Sequence, residues 1–193
     1  GHDLLGDAQP TSTGGFPLLA KYLDAREHLS VQVHPSPDYA ATHPEAHVKT
    51  ECWYIVDAEP GAELFLGFNT DANRALIEHH LNSGSLTDVL DHVPAVPGQM
   101  HLLPSELCHA LGAGVVVAEV QTPSDTTYRL HDWTELYNRP QREMHVEQGL
   151  DSMTFDPAPT STSLAPGQTR GELVSTPTFS VEEVRLNCEE QPL

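Results

Sequence analysis

Between Leu29 and Trp133 the chain is built from short β-like runs, each closed by a turn signal, and this punctuation limits the fold more than any other feature. "SVQVH", "ECWYIVD" and "AELFLGF" come first, with "EPG" between the last two. "QMHLL", "GVVVAEVQT" and "TTYRLHDW" follow, with "AVPG" and "LGAG" as turns. Many short strands joined by Gly/Pro turns predict a sandwich or jelly roll rather than a helical bundle or an open parallel sheet. Two segments interrupt the strands. "SPDYAATHPEAH" reads as a loop with one helical turn, and "TDANRALIEHHLNSG" as a helix capped by Thr70 or Asp71 and stopped by Gly84.

The 193 residues suffice for one sizeable domain, or one domain plus an appendage. Residues 1–15 read as an N-terminal arm, the remnant of a longer segment, and 16–137 as the core. Residues 138–171 hold a short helix in "QREMHVEQGLDSM" and a Pro/Ser/Thr-rich linker, and 172–193 begin a further β unit, expected to be incomplete. The start, "GHDLLGDAQP", has neither an initiator Met nor the form of a secretory signal, so a fragment or processed piece located in the cytoplasm is expected. Three cysteines, Cys52, Cys108 and Cys188, form no CxxC pair and fit a reducing compartment.

Nine Lys plus Arg stand against 28 Asp plus Glu, a formal charge of −19. That balance argues against nucleic acid and anionic membrane surfaces as partners. No apolar run is long enough to span a bilayer, and no protein partner is identified. An anionic small molecule stays possible if a few cations are concentrated locally. Lys21 and Lys49 are the only lysines, so their placement matters.

In an extended strand "LSVQVHP" puts Val31 and Val33 on one face and Ser30, Gln32 and His34 on the other. That second face is either a wet edge or a metal site in the mouth of a barrel. In "HVKTECWYIVD", Lys49, Glu51, Trp53 and Ile55 share a face, and Thr50, Cys52, Tyr54 and Val56 the opposite one. Buried charges are rare unless paired or metal-bound, so Lys49 and Glu51 are either a surface pair at a strand entrance or part of a site. His109 in "LPSELCHALGAG" is either structural or a ligand. Asp125, Thr127, Arg129 and His131 alternate along "SDTTYRLH", where Arg129 either bridges to Asp125 or Asp132 or serves a site. Cys52 and Cys108, each beside a candidate ligand, are expected to point the opposite way into apolar packing.

Gln32, His34, Glu51 and His109 form an N/O donor set suited to Zn²⁺ or a similar divalent ion. The order of a Q-x-H pair, a following Glu and a distant His resembles the ligand pattern of cupin barrels. With "FPLLAKYLDAREHLSVQVHPSPDYA", "KTECWYIVDAEPGAE", "PSELCHALGAGVVVAEVQTPSDTTYRLHDW" and "REMHVEQ", the chain resembles type I mannose-6-phosphate isomerases, most closely their short bacterial form. The resemblance spans about residues 16–148 and, more weakly, 172–186.

What it implies is an all-β-dominated, cupin-type jelly-roll barrel with a short helical insertion. It also implies an aldose–ketose isomerase that interconverts mannose 6-phosphate and fructose 6-phosphate by proton transfer through a cis-enediol, with one Zn²⁺ per chain. The family's metal ligands fall on Gln32, His34, Glu51 and His109. Its active-site lysine and arginine fall on Lys49 and Arg129, an acidic residue on Asp125, and its phosphate-associated serine on Ser30. Lys49, Glu51, Asp125 and His47 are the candidate bases, in that order. Two readings compete with this one. One is an iron-dependent cupin oxygenase, for which Gln32, Lys49 and Arg129 have no obvious use. The other is a non-catalytic or impaired sugar-phosphate-binding module that keeps the metal site.

Overall fold

A computed structural model describes residues 5–11, 14–69 and 71–186. Two antiparallel sheets face each other. The first has the order β1-β8-β3-β6, from β1 (Leu19–Ala25), β8 (Val115–Gln121), β3 (Glu51–Ala58) and β6 (Met100–Leu103). The second has the order β5-β4-β7-β2-β9, from β5 (Leu90–Pro94), β4 (Glu63–Phe68), β7 (His109–Leu111), β2 (Val31–Val33) and β9 (Tyr128–His131). Chain neighbours β2 and β3 thus lie in opposite sheets, and one container is built from distant parts of the sequence.

Three apolar clusters hold the sheets. Between them lie Trp53, Ile55, Leu64, Leu66, Leu103, Leu111 and Val117, all buried. Behind the five-stranded sheet, Val31, Val33, Phe65, Cys108, Ala110 and Leu130 pack against Ile77, Leu86 and Leu150. Ile77 belongs to α2 (Arg74–Ser83), Leu86 to a 3₁₀ turn (Leu86–Val89) and Leu150 to α4 (Val146–Ser152). Behind the four-stranded sheet, Cys52 and Met100 pack against Leu164, Leu173, Val174 and Phe179. The last three come from the hairpin of β10 (Arg170–Ser175) and β11 (Ser180–Val184) and its turn, and Met100 also bridges to Thr162.

The back of each sheet is therefore covered, and alternation along a strand separates two interiors rather than core from water. The β2 valines enter the apolar layer behind the sheet, while Ser30 and His34 are buried with 4% and 0% exposure. The polar face of "SVQVH" is an inside face.

Smaller elements complete the chain. α1 (Pro37–Thr42) starts at Ser36, whose hydroxyl accepts from the Tyr39 N–H, and α3 (Thr134–Tyr137) follows β9. The cap of α2 differs from the sequence expectation. Asn73 supplies it by accepting the Leu76 N–H at 3.1 Å, whereas Asp71 precedes the cap and Thr70 lies outside the described residues. In "TDAN" several residues can cap, and tertiary position selects among them. Gly84 ends the helix with a left-handed φ of 70°, as its sequence position predicts.

Candidate metal centre and anion cleft

Ladder pairing brings the candidate ligands together. Gln32 of β2 stands opposite His109 of β7 on one side and Arg129 of β9 on the other. Across the barrel, Glu51 heads β3, opposite Gln121 and Leu103. One donor atom each from His34, Glu51 and His109 can lie within 4.8 Å of the others, and all three side chains are buried. His34 Nε2 is 3.6 Å from Glu51 Oε1, and His109 Nε2 is 3.5 Å from Glu51 Oε2.

Backbone contacts orient the rings. His34 Nδ1 meets the Thr126 carbonyl at 2.9 Å, and His109 Nδ1 meets that of Leu107 at 2.8 Å. Donation from both Nδ1 atoms leaves both Nε2 lone pairs aimed at one point, the tautomer a metal-binding histidine requires. Ser105, 1% exposed, sets two of the approaches: its hydroxyl accepts the Lys49 N–H at 2.6 Å and its carbonyl the His34 N–H at 2.8 Å.

His34 Nε2 and Glu51 Oε2 are buried without a hydrogen bond, and Glu51 Oε1 has only the Lys49 ammonium as partner. Orphaned polar atoms of this kind cost stability unless something pairs with them, and an imidazole and a carboxylate aimed at one point fit a divalent cation. Two imidazoles and a carboxylate suit zinc, as they also suit Fe(II). Gln32 sits at the rim of the set. Its Nε2 is 3.3 Å from His109 Nε2, and its Oε1 accepts the Ser30 hydroxyl at 3.3 Å. A half-turn of the amide would direct Oε1 towards the same point.

Lys49 shares the face of Glu51 and forms an ion pair with its Oε1; the two residues are 7% and 1% exposed. The pair is internal, so a surface bridge is not its role. Burial pushes the Glu51 carboxyl up, but the adjoining His34 imidazole and the charges of His109 and Lys49 together hold it well below the usual range. Burial lowers His109 to about 4 against the opposing pull of Glu51.

Beside the cluster opens a cleft of about 660 Å³, whose lining includes Ser30, Gln32, Asp125, Arg129, Arg139 and Arg142. Arg129 Nη1 donates to the Glu143 carbonyl at 2.8 Å, while its Nε is buried without a partner. Neither Asp125 nor Asp132 bridges it: Asp132 is forked by Arg142, and Asp125 sits on the cleft wall. His47 is exposed, and its backbone is tied to Thr126 and Ser124.

The sequence reading passed over Arg139, Arg142, Ser105 and the pair Lys21–Glu119. Lys21 Nζ lies 2.5 Å from Glu119 Oε1, and Glu119 Oε2 accepts the Trp53 indole N–H at 3.0 Å. Both lysines of the chain therefore pair with buried glutamates on the inner face of one sheet. Lys21 shares one strand face with Leu19 and Leu23, and a lysine on a leucine face was a signal for it. Cys52 and Cys108 point away into apolar packing, and burial raises them to about 11 and about 12.

No family model matches the sequence. Comparison with curated proteins finds mannose-6-phosphate isomerase of Streptococcus mutans, 37% identical over 177 residues, which are 89% of this chain and 55% of the relative. Mannose-6-phosphate isomerase ManA of Bacillus subtilis is 40% identical over 138 residues, 70% of this chain and 44% of the relative. Among solved structures, the mannose 6-phosphate isomerase of Bacillus subtilis superposes with a TM-score of 0.79 at 32% identity, covering 94% of this chain and 58% of that one. A mannose 6-phosphate isomerase solved with zinc bound shares the fold, with a TM-score of 0.61 at 18% identity over 92% of this chain and 65% of that one. The barrel is accordingly a cupin, as the resemblance implied. The chain spans about half the length of the curated relatives it matches, and it belongs to the mannose-6-phosphate isomerase family.

Proposed function

We propose that this chain carries the site of a metal-dependent aldose–ketose isomerase acting on mannose 6-phosphate and fructose 6-phosphate. The observation that carries the reading is the buried, convergent trio of His34, Glu51 and His109, with Lys49 beside it and a cleft lined by Arg129, Arg139 and Arg142 opening next to it. The names of the relatives support the substrate.

His34, Glu51, His109 and, through its amide oxygen, Gln32 would hold one Zn²⁺ per chain. Bound there, the ion would supply Lewis-acid polarisation of the sugar oxygens at C1 and C2. The side chains do the rest. Arg129 and Ser30 take the phosphate end, with the free Nε edge of Arg129 available as a donor. Lys49, buried and close to the carbon chain so placed, carries the proton between C1 and C2. Glu51 is a poorer base because its oxygens are committed to the cation and to Lys49. Asp125, on the cleft wall, orients the sugar hydroxyls. The buried walls around Trp53 and Leu66 limit water at the reacting carbons.

The test is a chelator-treated preparation assayed for conversion of mannose 6-phosphate to fructose 6-phosphate, before and after Zn²⁺ is restored. Activity that disappears with the metal and returns with it supports the reading; undiminished turnover in metal-free protein refutes it. Binding of mannose 6-phosphate without turnover in the zinc-loaded chain would instead identify a sugar-phosphate-binding module.

A further inference from the structure

A segment with no part in the ion cluster holds the guanidinium of Arg129. Just beyond α3, residues 139–145 turn back along β9. Arg139 donates to the Asp132 carbonyl from Nε at 3.1 Å and from Nη2 at 2.9 Å, and Nη2 also reaches the His28 carbonyl at 3.0 Å. Arg142 forks the Asp132 carboxylate, with Nε 2.8 Å from Oδ2 and Nη2 on Oδ1. The next residue, Glu143, gives its carbonyl to Arg129 Nη1, and His145 donates its N–H to the Arg129 carbonyl at 2.8 Å. A short covalent path thus joins the Asp132 fork to the group that orients Arg129.

The charges explain why a carboxylate is needed there. Arg129, Arg139 and Arg142 line one cleft, and like charges so close repel one another. Burial and the neighbouring Arg142 both lower the pKa of Arg129, while Asp132 opposes them. Asp132 is 4% exposed and is not part of the cleft lining, so it compensates Arg142 and, at 3.5 Å, Arg139 from inside the protein, while Glu27 on the cleft wall meets Arg139 Nη1 at 3.2 Å. A bidentate fork also fixes direction as well as distance, which a single point charge does not.

We propose that Asp132 is a positioning residue for anion recognition: by fixing Arg142 it sets the Glu143 carbonyl, and through it the guanidinium of Arg129 facing the cleft. The inference rests on the reading of this cleft as the place of the substrate phosphate. It assigns Asp132 and Arg142 to affinity for the phosphate group, and not to the proton transfer.

The experiment uses the full chain loaded with Zn²⁺ and inorganic phosphate as the calorimetric probe, with Asp132→Asn to remove the charge at constant size. The expected result is phosphate affinity weakened roughly tenfold, as loss of a charge-assisted fork implies, with zinc content unchanged. With mannose 6-phosphate, KM rises by a similar factor while kcat at saturation is retained. Unchanged phosphate affinity in Asp132→Asn overturns the proposal, and so does a fall in kcat with KM unchanged. If Asp132→Asn does not fold, Arg142→Lys keeps the charge and removes the fork: weaker phosphate binding supports the assignment, and wild-type binding overturns it. Failure of the unsubstituted protein to bind phosphate at all would instead refute the reading of the cleft.

Discussion

Lys49→Met tests the electrostatics of the ion site through stability and metal affinity at once. Lys49 and Glu51 are 7% and 1% exposed, and the ammonium is paired with Glu51 Oε1. Methionine keeps the length and apolar stem, so packing changes little. In metal-free protein the substitution strands a buried carboxylate, a loss of about 3–5 kcal/mol for a broken internal pair. For a chain of this size each kcal/mol shifts Tm by about 2–4 °C, so the expected fall is ~6–20 °C in chelator. In zinc-loaded protein the carboxylate keeps a cationic partner, and repulsion between the ammonium and the ion is relieved, so the expected loss is only about 1–2 kcal/mol. The gap of roughly 2–3 kcal/mol must reappear by linkage as tighter metal binding, about 30–150-fold.

Urea unfolding with chelator and with excess Zn²⁺ measures the two stabilities, and a competition titration measures the zinc affinity independently. Equal losses in both conditions, or weaker zinc binding by the variant, would show that Lys49 and the ion do not share Glu51. That result would remove the electrostatic basis of the site as described.

Two further outcomes follow from the packing. Cys52 and Cys108 are buried with thiols raised to about 11 and about 12, so in a Cys188→Ser background the native protein should show no rapid reaction with a thiol reagent at neutral pH. Unfolding in denaturant should release both thiols; a rapidly titrating thiol in the folded variant contradicts the placement. Gly112→Ala should destabilise by about 3 kcal/mol or more, because its Cβ would overlap the Glu63 carbonyl oxygen, a backbone atom that cannot turn aside. Chemical denaturation measures this, and a wild-type midpoint would show that β4 and β7 can separate at that point.

How much of this was legible in the sequence depended on the range of the signal. Two-residue alternation was enough to place Gln32 with His34 and Lys49 with Glu51, and the structure keeps both pairs on inner faces. It was not enough to say that these faces are interior, because that follows from what covers the opposite faces. The covering comes from Ile77, Leu150, Leu173 and Phe179, far along the chain. The strand β1 was not assigned from the sequence: "LAKYLDA" carries Lys21 and Asp24, and the pairing of Lys21 with Glu119 across the ladder comes only with the fold. The strand β7, only His109–Leu111, lies between two turn signals and leaves too few residues for a period to show. Arg139 and Arg142 stood in a segment read as a linker with a short helix, and only the return of that segment to Asp132 gives them a place at the cleft. The convergence of the ligand set came from the family resemblance, since spacing alone left His109 open between a structural and a ligand role.

The charge distribution joins fold to function. Six of the nine cations, Lys21, Lys49, Arg26, Arg129, Arg139 and Arg142, lie on the barrel's inner face or its adjoining cleft. The other three, Arg74, Arg170 and Arg185, are partly exposed and tied to nearby carboxylates. The rest of the surface is therefore strongly acidic. At physiological ionic strength its field decays over about 8 Å, whereas charges within the cleft act on a ligand at contact distance and are screened much less. A small anion is repelled weakly at a distance and attracted most where Arg129 and its neighbours converge. A chain of net charge −19 can in this way present a local cationic site, provided the cations are fixed in place, and the carboxylates of Asp132 and Glu27 hold Arg142 and Arg139 there.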